Sequence, residues 1–183
     1  HFPEQIPEDQ ENRPMKLAIV GKPNVGKSSY VNSLIGEERS VVTPIAGTTR
    51  DSIHTDYTFY GQPITLIDTA GLRKKKYVHD ALELFSAVRT MKAIDECDVA
   101  LILVDAVDGV NKQDAKILND VIDARKGAIL VVNKWDLIEK DTNTATKFEK
   151  EVKDMLVTVD YVPLVFISAV THQRHTKPIE MAL

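Results

Sequence analysis

The 183-residue chain is poor in the features that mark secreted and membrane proteins. It contains one cysteine, Cys97, which cannot form an internal disulfide and therefore favours a reducing compartment such as the cytoplasm. Its apolar runs are short, as at residues 99–104 and 128–132, whereas a membrane-spanning helix needs about 18 to 20 apolar residues. A hydrophobic content of 43% with 27% charged residues is ordinary for a globular protein, which argues against disorder throughout.

Charge of either sign is nearly balanced in the body of the chain, although the whole carries a net charge of −4. Residues 1–14 contain four acidic residues and one basic residue, a net charge of −3, and the remainder is close to neutral. The same segment contains three prolines and almost no apolar pattern. We therefore predict an acidic linker over residues 1–14 and a single domain over residues 15–183.

Short apolar runs alternate with segments of helical spacing along this domain. The runs typical of strands lie at residues 16–20, 53–59, 63–67, 99–105, 128–132 and 162–167. The second and third of them flank a short turn and predict an antiparallel hairpin. The whole pattern predicts an α/β fold with a mostly parallel six-stranded sheet, one antiparallel strand and helices on both faces. Gly36 is expected to end the first helix in the left-handed conformation.

Residues 21–28, GKPNVGKS, fit the phosphate-binding pattern G-x-x-x-x-G-K-[ST] between a predicted strand and a predicted helix. In such a loop the backbone N–H groups and the helix start face the phosphates, while Lys27 neutralises phosphate oxygens and Ser28 ligates Mg²⁺. The predicted contacts with the nucleotide are Asn24, Val25, Gly26, Lys27, Ser28 and Ser29. This segment predicts a P-loop NTPase with Mg²⁺ as cofactor.

The choice of base follows from N-K-W-D at residues 133–136, after the predicted strand 128–132. Asp136 can accept hydrogen bonds from the ring N1–H and the amino group of guanine, a pair of donors that adenine lacks. Asn133 can tie this segment to the phosphate loop, and the stem of Lys134 can lie against the base. The backbone N–H groups of Ser168 and Ala169, after the last strand, are expected to meet guanine O6. Together these residues favour GTP and GDP.

Four motifs follow one another along the chain: GKPNVGKSS at 21–29, AGTTRD at 46–51, DTAGLRKK at 68–75 and NKWD at 133–136. In this form and order they resemble the Der (EngA) family of bacterial ribosome-assembly GTPases, over essentially the whole chain. The resemblance implies a Ras-like GTPase domain, the second of two in tandem, cut before a KH-like domain. It also implies a cytoplasmic protein whose partners are the ribosome or ribosomal RNA, with neither a membrane nor DNA as partner.

The sequence lacks the glutamine that many GTPases place after D-T-A-G to orient the attacking water, because residue 72 is leucine. The resemblance assigns Leu72 to a class in which a K⁺ ion supplies the missing charge. In that class the ion is held by an asparagine that matches Asn24 and by backbone carbonyls that match residues 45–47. Such a cation would act as an arginine finger does, which contributes about 10³ to 10⁵ in rate. A purely structural role of Asn24 in the loop is the alternative.

The resemblance also assigns the two segments that sense the γ-phosphate. Thr49, or else Thr48, would ligate Mg²⁺, Asp68 would hold the ion through water, and the Gly71 N–H would meet the γ-phosphate. Backbone groups near Thr49 and Gly71 would position water. The expected catalytic residues are therefore Asn24, Lys27, Thr49 and Gly71, and the expected metal ligands are Ser28, Thr49 and Asp68 for Mg²⁺ and Asn24 for K⁺.

Two positions depart from the family pattern: His172 stands where relatives usually have glycine, and residues 74–76 lack a glycine common there. The basic run 73–76 would contact RNA or a partner domain, or else is a solvated loop. Two other functions stay open. One is a pseudo-GTPase that holds GDP and binds RNA; the other is a related K⁺-dependent GTPase of tRNA modification or ribosomal RNA maturation. Turnover of GTP in K⁺ would exclude the first.

Overall fold

The computed structural model of the chain describes residues 13–36, 42–46, 53–67, 82–156 and 160–183. Its strands are β1 Met15–Val20, β2 Val42–Ala46, β3 Ile53–Phe59, β4 Gln62–Ile67, β5 Val99–Asp105, β6 Gly127–Asn133 and β7 Leu164–Phe166. Its α-helices are α1 Lys27–Ile35, α2 Leu82–Glu96, α3 Lys112–Asp123, α4 Thr144–Met155 and α5 Lys177–Ala182. A single turn of 3₁₀ helix, Trp135–Leu137, follows β6.

The strands form one sheet in the order β2-β3-β4-β1-β5-β6-β7. Strand β3 runs antiparallel to both of its neighbours, and the remaining pairs are parallel. The predicted mostly parallel sheet with one antiparallel strand is therefore confirmed. The described residues contain seven strands rather than the predicted six, because residues 42–46 pair with β3 at the sheet edge. Pro44 lies in this added strand, and an edge is where a strand tolerates proline.

The sheet carries helices on both faces, as predicted. Successive strand residues point to opposite faces, so Leu17 and Ile19 of β1 enter one core, while Ala18 and Val20 enter the other. Helices α1 and α5 cover the first core, and α2, α3 and α4 cover the second. The buried helix residues are Tyr30, Val31, Leu34 and Ile179 in the first core and Ala93, Ile94, Leu118, Val121 and Val152 in the second.

The end of α1 differs from the expectation. Gly36 ends the helix, but its φ of −75° is right-handed, and its N–H bonds to the Asn32 carbonyl in helical fashion. The predicted left-handed cap is therefore wrong. The last turn continues the helix, so no positive φ is required at this glycine.

Asp98, just before β5, anchors the first described residues to the sheet edge where the parallel strands begin. Arg13 donates two hydrogen bonds to its carboxylate, at 2.8 and 3.1 Å, and the Lys16 backbone N–H donates a third at 2.9 Å. Burial alone would raise the pKa of Asp98, but these bonds and the Arg13 charge outweigh it and hold the pKa below its ordinary value of 3.8. Such a carboxylate stabilises the fold above its unfolded-state pKa and loses this effect as the pH falls through the folded-state pKa.

Asp98→Ala is expected to lower the free energy of unfolding at neutral pH by on the order of 1 kcal/mol, because the Lys16 N–H loses a charged acceptor. The difference from wild type should shrink as the pH falls below 3.8, since the native carboxyl then becomes protonated. Urea unfolding at neutral and acidic pH measures both effects. A difference that stays constant into acid would show that the charge of Asp98 is unimportant.

Candidate functional site

The loop between β1 and α1 is shaped by residues with positive φ. Gly21 has φ of 149° and Gly26 has φ of 98°, and Asn24 between them has φ of 66°. A Cβ atom at residue 21 would lie 2.5 Å from the Leu103 carbonyl oxygen, and one at residue 26 would lie 2.3 Å from Nδ2 of Asn133. Both positions therefore require glycine, because other residues disfavour a positive φ and because no space is left for a Cβ atom.

Lys27 brings positive charge into this loop. Its Nζ donates hydrogen bonds of 2.7 Å to the carbonyl oxygens of Gly21 and Lys22. Helix α1 begins here without an acidic residue in its first turn and without a side-chain cap. The ammonium group and the positive end of the helix dipole thus coincide, an arrangement suited to binding phosphate.

Ser28 fits the predicted Mg²⁺ ligand. Its Oγ is buried and makes no hydrogen bond with any part of the chain that the structure describes. A buried hydroxyl normally has a partner, and oxygen ligands are those that Mg²⁺ prefers. The residue next to Lys27 therefore offers an oxygen suited to a cation beside the phosphates.

Lys22 is a second cation of the loop, and its charge is directed inward. It is 8% exposed, and its Nζ lies 3.7 Å from carboxylate oxygens of both Asp108 and Asp114. Asp114 also accepts a hydrogen bond of 3.0 Å from the Asn111 N–H at the start of α3. Burial raises the pKa of Asp114 in spite of these partners. Because the Lys22 ammonium group is paired with these acids, Lys27 is the lysine of this loop whose charge is available to bind phosphate.

Asn133, at the carboxyl end of β6, joins three loops. It is 2% exposed; its Nδ2 donates to the Val25 carbonyl at 3.0 Å, and its Oδ1 accepts from the Ala169 N–H at 3.0 Å. The phosphate loop, the N-K-W-D segment and the segment after β7 therefore meet around one buried amide. This is the tie that the sequence suggested for Asn133.

The next two side chains of N-K-W-D differ in their partners. Lys134 has φ of 64°, and its Nζ donates to the Asn24 carbonyl at 2.9 Å and pairs with the Asp105 carboxylate. Trp135 is buried against Phe148 and Phe166, with ring centroids 5.9 and 4.3 Å away. The tryptophan fixes the segment by packing.

Asp136 lies in the 3₁₀ turn after Lys134 and is partly exposed. Within the described ranges, no hydrogen bond or ion pair engages its carboxylate. Its segment contacts the phosphate loop through Asn133 and Lys134, and a partly exposed carboxylate in this segment has the acceptors that a guanine N1–H and amino group require.

The segment after β7 reaches the site, but its N–H groups are engaged within the protein. The Ser168 N–H donates to the Gln173 carbonyl at 3.0 Å, and the Ala169 N–H donates to Asn133. Both donors therefore have acceptors within the protein, and the predicted contact with guanine O6, which would require them to exchange these partners, stays a prediction. His172, in the same segment, has φ of 59°, so it takes the conformation expected of the glycine it replaces.

Several predicted site residues lie outside the described residues: Thr48, Thr49, Asp68, Gly71, Leu72 and the basic run 73–76. The linker residues 1–12 and Gly47 of the expected K⁺ site do so as well. Among the described residues, no cluster of three or more His, Cys, Asp or Glu could hold a metal ion. The helices in those ranges include none with the length and apolar character needed to cross a membrane.

Sequence reasoning missed two residues of this site. Asp105 and Lys22 were assigned no role, yet both are buried in ion pairs beside the phosphate loop. A signal was present for Asp105, since it ends a buried strand at the edge where the motifs gather. Its partner, Lys134, lies 29 residues further along the chain, so only the fold shows the pair.

Comparison with known proteins identifies the family of the chain. Residues 16–134 match the family described as "50S ribosome-binding GTPase". The chain is 54% identical to the GTPase Der of Chloroflexus aggregans, in a match that covers all of this chain and 40% of the relative. It is 51% identical to the GTPase Der of Chloroherpeton thalassium, in a match that covers all of this chain and 42% of the relative. It thus spans about two fifths of the length of these curated relatives.

Among solved structures, the crystal structure of Era with MgGDPNP and a segment of 16S ribosomal RNA is similar, with a TM-score of 0.69 and 28% identity. The match covers 93% of this chain and 56% of that one. The predicted P-loop GTPase fold and the predicted likeness to the Der family are both confirmed. With its phosphate loop, its N-K-W-D segment and a match over residues 16–134, the chain belongs to the 50S ribosome-binding GTPase family.

Proposed function

We propose that this chain binds GTP with Mg²⁺, hydrolyses it to GDP and phosphate, and acts as a switch in assembly of the large ribosomal subunit. One observation carries the proposal: Asn133 joins the phosphate loop to the segments at 133–136 and 168–169 by two buried hydrogen bonds. A phosphate site and a carboxylate suited to guanine are thereby held beside each other. Belonging to a GTPase family supports the same reading.

The roles of the described residues follow from their contacts. Lys27 exchanges its carbonyl partners for phosphate oxygens and neutralises their charge together with the start of α1. Ser28 would hold Mg²⁺, which when bound would neutralise charge on the phosphate oxygens. Asp136 accepts the two donors of guanine, and Lys134 lies along the base. These residues bind and orient the nucleotide.

The switch residues complete the proposal. Thr49, or else Thr48, is proposed to join Ser28 at Mg²⁺, Asp68 to hold it through water, and the Gly71 N–H to meet the γ-phosphate. Loss of the γ-phosphate would release both segments, as in other GTPase switches. Leu72 cannot orient water, because its side chain has neither a donor nor an acceptor. Hydrolysis therefore needs another source of transition-state charge.

K⁺ held by Asn24 is the proposed source of that charge. Asn24 is exposed with left-handed backbone, and its side-chain amide makes no hydrogen bond within the described part of the chain. The backbone carbonyl of Asn24 accepts a hydrogen bond from Lys134, whereas its side-chain oxygen is available to bind a cation. A structural role of Asn24 remains the competing account, and the experiment below separates the two.

The cellular role is inferred from the relatives. They are named GTPase Der, the matched family is described as binding the 50S ribosome, and the Era structure contains ribosomal RNA. We propose that the complete protein acts on ribosomes in the cytoplasm. The basic residues 73–76 would contact RNA or a neighbouring domain. Release of these contacts on hydrolysis would limit how long the protein stays bound to its partner.

Single-turnover GTP hydrolysis with Mg²⁺ in matched KCl and NaCl tests the proposal. We expect K⁺ to accelerate hydrolysis about 10- to 1,000-fold, part of the effect of an arginine finger, because the cation offsets charge that develops on the phosphates. Asn24→Ala should remove most of this acceleration and leave GDP bound. Asn143→Ala, at an exposed asparagine without a cap hydrogen bond at the start of α4, is the matched control.

The outcomes distinguish the candidate functions. A K⁺ response of Asn24→Ala equal to that of wild type would move the cation site elsewhere. GDP binding without turnover in either salt would favour the pseudo-GTPase. Failure to bind GDP would refute the proposed function.

A further inference from the structure

Lys134 contacts two elements that lie outside the N-K-W-D segment itself. Its Nζ donates to the Asn24 carbonyl in the phosphate loop and pairs with Oδ2 of Asp105 at the end of β5. The Lys134 side chain is 31% exposed and the Asp105 side chain is 7% exposed, so one face of this ion pair is screened from solvent. The lysine is therefore held at both sides of its ammonium group.

The surroundings of Asp105 favour the ionised form of its carboxyl group. Its other oxygen, Oδ1, accepts the Val107 N–H at 2.8 Å, so each carboxylate oxygen has a different task. Burial alone would raise the pKa of Asp105, but the hydrogen bonds from Lys134 and the Val107 N–H, with the Lys134 charge, outweigh it and lower the pKa. Oδ1 fixes the loop after β5, and Oδ2 fixes Lys134.

We propose that Asp105 is a positioning residue for the nucleotide, because it holds the Lys134 side chain across the phosphate loop. The stem of Lys134 then forms a wall of the site, against which the base packs, and its ammonium group fixes the position of the Asn24 carbonyl. The inference deepens the proposed function and rests on it. Asp105 itself touches neither base nor phosphate; it acts through Lys134.

The physical need for such a residue lies in the lysine side chain. Four rotatable bonds give Lys134 many conformations, and only a few place its stem along a planar base. The ion pair with Asp105 selects among these before the nucleotide arrives, so less entropy is lost on binding. The same ammonium group fixes the Asn24 carbonyl, so the base wall and the phosphate loop become ordered together.

A double-mutant cycle on the whole chain tests the inference. Asp105→Asn keeps the oxygen that accepts the Val107 N–H but places an amide beside the Lys134 ammonium. We expect this change to weaken GDP binding, measured by calorimetry with Mg²⁺, by about tenfold, within the range found for contacting charged residues. In a Lys134→Met background the same change should alter the affinity less than about twofold.

Two further readouts test whether the effect arises at Lys134 rather than at Asp136 or in the fold as a whole. IDP, which lacks the amino group of guanine, should lose the same factor as GDP, because the wall formed by Lys134 serves either base. Asp98→Asn, at an ion-paired aspartate just before the start of β5, should leave GDP affinity unchanged. Thermal unfolding without nucleotide reports whether each variant is folded, and Asp105→Ser, which retains a hydroxyl acceptor, replaces Asp105→Asn if that variant unfolds.

Each result has one meaning. Equal losses from Asp105→Asn in the wild-type and Lys134→Met backgrounds would overturn the inference, since Asp105 would then act independently of Lys134. An unchanged GDP affinity in a folded Asp105 variant would overturn it as well. Wild-type protein that binds no GDP would instead overturn the proposed function, and the inference with it.

Discussion

Lys27→Ala is expected to lower GDP affinity by about 10²- to 10⁴-fold, enough to abolish binding in most assays. Lys27 can exchange its two carbonyl partners for two phosphate oxygens, and each hydrogen bond to a charged group contributes about 1.5 to 3 kcal/mol. Lys22 cannot take over, because its charge is paired with Asp108 and with the buried Asp114. Calorimetric titration with GDP and Mg²⁺ measures the loss directly.

The matched control is Lys150→Ala, at an exposed lysine on α4. Both variants remove one positive charge, so a loss confined to Lys27→Ala reflects position rather than net charge. Unfolding without nucleotide separates lost binding from lost folding. Unchanged GDP affinity in a folded Lys27→Ala protein would refute the assignment of residues 21–28 as the phosphate site.

Asp136→Asn is expected to reverse the preference for the base, from guanine toward xanthine nucleotides. The variant replaces one acceptor with a donor, which repels the guanine amino group and suits the carbonyl that xanthine has there. The loss of one or two charge-assisted hydrogen bonds predicts about 10- to 10⁴-fold weaker GDP binding. Competition between GDP and XDP measures the reversal.

Asp154→Asn, at an exposed aspartate on α4, is the control for the change in charge. It should bind GDP as the wild type does and continue to reject XDP. If Asp136→Asn still preferred GDP, the base would be read by some other group. The backbone around Ala169 would not be the first choice, since its N–H already donates to Asn133.

The fold was predictable where the signal is local. Buried parallel strands such as β5 and β6 are continuous apolar runs, so their positions follow from the sequence within a residue or two. Strand β2 was missed because its sequence, VTPIA, is short and contains proline, and its pairing with β3 depends on a partner elsewhere in the chain. The left-handed cap predicted at Gly36 was wrong because glycine permits a positive φ without requiring one.

The site divides in the same way. Residues 21–28 and 133–136 are contiguous motifs whose chemistry can be read without coordinates. The ion pair of Lys134 with Asp105 and the acceptors of the Ser168 and Ala169 N–H groups depend on contacts between separate segments. A linear pattern specifies which groups are present, while the fold decides which of them are already engaged.

The close approach of Gly26 to Asn133 has a consequence for how this protein tolerates sequence change. A Cβ atom at residue 26 would overlap Nδ2 of Asn133, so the two motifs share one steric constraint. An alanine at residue 26 would require the Asn133 amide to shift, which would disturb its hydrogen bond to the Val25 carbonyl. A substitution at residue 26 should therefore disturb the phosphate loop and the N-K-W-D segment together, so that the two segments respond to sequence change as one unit.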